Sequence, residues 1–77
     1  MSRHLHLVGP DAHVPLAVPV IAAEAGAPDV LVTVALLEGA VAPELPPSVS
    51  VVSIAPGAPG YAALLELIFA SDRVTAW

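Results

Sequence analysis

One arrangement of residues occurs twice in this chain, and that repeat limits its fold more than any other feature. "HLHLV" (His4–Val8) alternates polar and apolar residues and then meets Gly9-Pro10, the pattern of a strand closed by a turn. "PLAVPVIAAEA" (Pro15–Ala25) is a compact apolar segment closed by Gly26, a residue suited to the left-handed position after a helix. Pro15 fits a first helical turn, whereas Pro19 either kinks the helix or marks its true start. "DVLVTVALL" (Asp29–Leu37) then follows a Pro-Asp turn as a β-branched buried strand. The second half matches: "VSVVSI" (Val49–Ile54) as a strand, "APGAPG" (Ala55–Gly60) as a loop, "YAALLELIFA" (Tyr61–Ala70) as a helix, "RVTAW" (Arg73–Trp77) as a strand. The starts at His4 and Asp29 lie 25 residues apart, and those at Val49 and Arg73 lie 24 apart.

The element order β-α-β-β-α-β predicts one α/β domain over residues 1–77, a small Rossmann-like sheet of four mostly parallel strands. Right-handed crossovers give the strand order 3-2-1-4 with one helix on each face. The alternative is a ferredoxin-like α+β arrangement, in which the link from second to third strand is a hairpin. The Pro-rich link Glu38–Ser48 permits either. Gly/Pro loops after the first and third strands favour the Rossmann-like form.

Composition narrows the partners. The chain is 57% hydrophobic and 12% charged, against about 25% charged in ordinary globular domains, so a packed core is expected and disorder is not. Its net charge is −5, and Arg3 and Arg73 are the only fixed cations, which argues against nucleic acid and anionic membrane surfaces as partners. The absence of lysine and the Ala/Pro/Val bias suggest a bacterial, high-GC coding sequence. Cysteine is absent, so disulfides, thiolate nucleophiles and cysteine metal sites are excluded. Arg3 with "PLAVPVIAA" loosely imitates a signal peptide, but Asp11 and His13 precede the apolar run and prolines interrupt it, so a cytoplasmic location is expected. Pro46, Pro47, Pro56 and Pro59 break the longest uncharged stretch, so no membrane span is expected.

With the elements placed, the chain resembles the opening of the amino-terminal domain of GT-B glycosyltransferases. "HLHLVGP", "PLAVPVIAAEAG" and "APDVLVTV" follow the first strand, helix and second strand of that family, and "LPPSVSVVSIAP" resembles the approach to its third strand. "YAALLELIFASDRVTAW" is similar to the next helix and strand. The resemblance implies an acceptor-side loop at Gly9–His13 and a nucleotide sugar as donor. Ala27-Pro28 stand where the family has Gly-His, Trp77 stands where a histidine is expected, and no donor-binding carboxyl-terminal domain is represented.

Three groups of residues could carry function. His4 and His6 share one strand face and could bind a metal with a third ligand, but His13 lies beyond the strand's far end, so no metal site is expected and the pair is read as polar, edge-facing residues. Gly9, Asp11 and His13 form the loop after the first strand, expected to face Pro56, Gly57 and Gly60 of the equivalent loop in the second half. Such loops are where parallel sheets hold ligands. Asp11 and His13 are the catalytic candidates as an acid–base pair, although no nucleophile accompanies them, no phosphate-binding Gly-x-Gly-x-x-Gly is present and no cofactor is implied. The alternative for Asp11 is a helix cap. The last strand, with Val74, Ala76 and Trp77, is expected to be an open edge and an interface.

The helix "YAALLELIFA" carries one charge, Glu66, and is expected to be buried nearly all round, with Glu66 on an exposed stripe or paired with Arg73. Four strands and two helices nonetheless leave apolar sheet uncovered. The leading expectation is therefore a non-catalytic assembly module that completes its core against itself or a larger protein chain. A glycosyltransferase-like enzyme fragment and a small-ligand or nucleotide sensor are the alternatives.

Overall fold

A computed structural model describes residues 1–77 and contains six elements in the order β-α-β-β-α-β. They are β1 (Ser2–Val8), α1 (Val14–Ala25), β2 (Val30–Leu36), β3 (Ser50–Ser53), α2 (Ala58–Ala70) and β4 (Arg73–Ala76). The strands form one sheet in the order β3-β2-β1-β4, and every neighbouring pair is parallel. This is the Rossmann-like order, and it rules out the antiparallel hairpin of the ferredoxin-like alternative. No helix is long and apolar enough to cross a membrane.

Register divides the side chains into two layers. Pairing of His6 with Val34 and of Val34 with Val51 puts the even-numbered residues of β1 and β2 on one face with the odd-numbered residues of β3. There Val8, Val32, Val34 and Leu36 pack with Ala17 and Ile21 of α1 into the main core. The crossover from β1 to β2 runs in one direction along the sheet and that from β3 to β4 in the other. Right-handedness therefore places α2 on the opposite face, over Leu5, Leu7 and Ala35.

The faces are unequally filled. The Pro-rich link between β2 and β3 folds back onto the α1 face, where Val49 is buried and Ala40 and Leu45 pack against the core; Trp77 closes the same face. Nothing comparable covers α2. Gly60 is its only buried residue, Leu64, Leu65, Leu67 and Ile68 are half-buried, and Phe69 is 83% exposed. The expectation of a helix buried nearly all round is thus wrong. Its sequence is apolar on every side, but the only long segment that could have wrapped it lies on the other face. Glu66 is exposed and forms no ion pair with Arg73.

Local differences have local causes. Pro19 lies inside a continuous α1 rather than at its start, and Pro15 occupies the first turn. Gly26 ends α1 in right-handed geometry (φ −79°), with its N–H donated to the Ala22 carbonyl, so the left-handed freedom of glycine is not used there. The loop before α2 is shorter than expected, because Pro59 fits the first turn and the helix starts at Ala58. Gly57 (φ 94°) does need its missing side chain, and a Cβ on Gly60 would run into the Ala55 carbonyl.

Candidate functional site

The sheet's carboxyl end carries the predicted loop residues, but they do not converge. β1 runs into Gly9, where the Ala12 amide donates to the Gly9 carbonyl and closes a turn. His13 is the residue before α1, and its carbonyl accepts from the Leu16 and Ala17 amides. No side chain caps this helix, so Asp11 has no capping role, and both Asp11 and His13 are exposed. Pro56 and Gly57 lie beyond β3, which β2 separates from β1. They line a cleft of about 370 Å³ with Leu37, Ile54, Tyr61 and Leu64, and Gly9, Asp11 and His13 are not among its walls. Gly60 belongs to the packing beneath this cleft, where its close approach to Ala55 seats the start of α2 on the end of β3.

The polar residues that do converge are elsewhere. β1 is an inner strand, so the even-numbered His4 and His6 point at α1 instead of at solvent. His6 is only 1% exposed. The reading of this pair as edge-facing is therefore corrected: the parallel partners β2 and β4 enclose the strand on both sides. Glu24, one residue before the end of α1, reaches down to both rings. Its Oε1 lies 2.9 Å from His4 Nδ1 and 2.8 Å from His6 Nε2. On the far side of the His6 ring, Trp77 Nε1 donates to His6 Nδ1 across 2.9 Å. The two rings lie nearly parallel, 17° apart in plane with centroids separated by 6.1 Å.

These bonds assign the protons. An indole N–H can only donate, so His6 Nδ1 must accept, and in the neutral imidazole the proton then sits on Nε2. His6 Nε2–H thus donates to the Glu24 carboxylate, and His4 Nδ1 donates to the same oxygen. Burial alone would push the Glu24 carboxyl up. The hydrogen bonds from His6 and then His4 oppose this, and the net position is below the ordinary glutamate value. Every buried side-chain polar atom has a partner.

Two imidazoles beside one carboxylate resemble a set of metal ligands, but the proton assignment opposes that role. A ligating histidine offers a ring lone pair to the metal and uses its other nitrogen as a donor. His6 does the reverse: the nitrogen facing Glu24 carries the proton, and the other accepts from Trp77. The cluster is a structural clamp that ties β1, the end of α1 and the residue after β4 together.

Sequence reasoning missed Glu24 and misplaced Trp77. Two signals were present: Glu24 is the only charged residue in α1, and a crossover helix covers one face of the strand that holds both histidines. Of the predicted interface residues, Val74 and Ala76 are exposed on the α2 side of edge strand β4, whereas Trp77 turns towards the core of the other face. Comparison with protein-family models, curated proteins and solved structures gives no significant match.

Proposed function

We propose that the chain is a non-catalytic assembly module whose α2 face is covered by a second copy of itself. The observation that carries this reading is the exposure of an apolar helix flank, with Phe69 at 83% and Tyr61 at 62%, on a face that no link covers; the α1 side gains the link residues Ala40, Leu45 and Val49 in its core, although Leu16, Val20 and Val51 stay exposed there. On the α2 side, register places Leu31, Val52 and Val74, all exposed, at the margins of the sheet. Large apolar side chains gathered on one face of a small domain mark a contact site. Helix α2 itself has no basic residue and one carboxylate, Glu66; Arg3 lies on the same face beside Leu31 and Leu67, and Glu38 lies at the cleft, so the charges at the margins are few and mixed, and an apolar surface complements itself. Light scattering on the isolated chain tests the reading: a mass of twice the monomer supports it, and a monomer at all concentrations overturns it.

A second reading rests on the strand order together with the resemblance to GT-B amino-terminal domains. In it, the exposed Asp11 and His13, at the carboxyl end of inner strand β1, meet a sugar acceptor. Turnover of a nucleotide sugar that His13→Ala abolishes would favour it over assembly alone.

A further inference from the structure

The outward side of α2 carries a stripe whose two ends match. Tyr61, Leu65 and Phe69 are spaced four residues apart and form one ridge along the helix. Leu65 is the midpoint of that ridge, with one aromatic side chain at each end. If the helix is turned end for end about Leu65, each aromatic position falls on the other.

Resting on the assembly reading, we infer that two copies pair through antiparallel α2 helices about a two-fold axis at Leu65. Each Phe69 then inserts beside Tyr61 of the second copy. In a two-fold interface, contact of Phe69 with Tyr61 in one direction requires the same contact in the other, and the stripe satisfies that condition. About 12 Å of helix separates Tyr61 from Phe69, so the matched contacts lie well within one short helix.

The cleft at the sheet's carboxyl end lies where this pairing needs it. Tyr61 and Leu64 form one wall, and Leu37, Ile54, Ala55, Pro56 and Gly57 form the rest with the carboxylate of Glu38 beside them, giving about 370 Å³. An apolar cavity of about 150 Å³ already admits benzene, so a phenyl ring has room here. Antiparallel pairing delivers the Phe69 ring to this end of the second helix, and parallel pairing would take it away. Tyr61 and Phe69 together present on the order of 300 Å² of exposed side chain, a substantial part of the roughly 800 Å² per partner in a stable interface. Glu66 flanks the stripe and stays at the wet rim, where a charge is tolerated.

The test uses the absence of cysteine from the chain. Leu65→Cys should cross-link to itself with a short bifunctional maleimide, while Val20→Cys, on the outer side of α1, should not. Phe69→Asp should weaken dimerisation at least tenfold in sedimentation equilibrium while leaving the far-ultraviolet circular dichroism unchanged. Phe69→Tyr should retain the dimer. A wild-type dimer that survives Phe69→Asp and is not linked through Leu65→Cys would overturn this geometry and leave the assembly reading standing. A wild-type monomer would overturn both. Should Phe69→Asp fail to fold, the cross-linking pattern of the two cysteine variants decides alone.

Discussion

The indole of Trp77 donates to His6 Nδ1 across 2.9 Å and so fixes which nitrogen of a buried imidazole carries the proton. The other nitrogen then donates to Glu24, and strand β1 is tied to helix α1 through a ring whose orientation is set from β4's side of the sheet. The contact is also long in sequence, because 71 positions separate the two residues. Closing it requires the whole sheet.

Removing the indole donor should therefore cost more than its packing alone. Trp77→Phe keeps an aromatic ring but leaves His6 Nδ1 buried without a partner, a loss of roughly 1–3 kcal/mol. Urea unfolding would show it as a lower midpoint at unchanged slope. Equal stability of the two proteins would mean that the indole bond does not hold His6.

Glu24 gives the fold a pH dependence whose direction can be worked out. Its folded carboxyl is held below the ordinary value of 4.5, so it contributes stability above that pH and loses it as the pH falls through the lowered folded value. Glu24→Gln should cost about 1–2 kcal/mol at neutral pH, where the carboxylate accepts two N–H bonds. The gap between wild type and variant should then narrow as acid is added below about pH 4.5. Thermal melts at several pH values measure both, and a gap that widens in acid would contradict the assignment.

Gly60→Ala should destabilise the protein although alanine is the better helix former. Its Cβ would meet the Ala55 carbonyl, and a backbone group at the end of β3 cannot swing aside as a side chain would. The expected loss is roughly 1–3 kcal/mol, as for other overpacked sites. A rise in melting temperature would show that the approach of α2 to β3 is looser than described.

Pro19→Ala should do the opposite. Pro19 is exposed within α1 and cannot donate the amide that an interior helical position supplies to the carbonyl four residues earlier. Restoring that donor on a solvent-facing site should stabilise by roughly 1–3 kcal/mol. Calorimetry would record a higher midpoint.

The fold was legible because its signals are local and redundant. Alternation in "HLHLV", the β-branched run "VLVTV" and proline and glycine at element ends each point the same way, and handedness converts the resulting order into a topology. The environment of α2 was not legible, because periodicity reports how apolar a helix is and not whether anything lies over it. The His4–Glu24–His6–Trp77 clamp was hidden for a related reason. Its four members come from β1, α1 and the end of β4, and only the register brings them together. The carboxyl-end loops failed to converge because β2 intervenes between β1 and β3, a spacing that a list of loop residues does not carry.

If a second copy completes part of this protein's core, as proposed, stability and assembly are linked. A native state that is dimeric and an unfolded state that is monomeric make the unfolding midpoint depend on protein concentration. Thermal unfolding followed over roughly a hundredfold range of concentration tests this most directly. The midpoint should rise steadily with concentration in the wild type and not in Phe69→Asp. A wild-type midpoint that stays constant across the range would overturn self-association through α2.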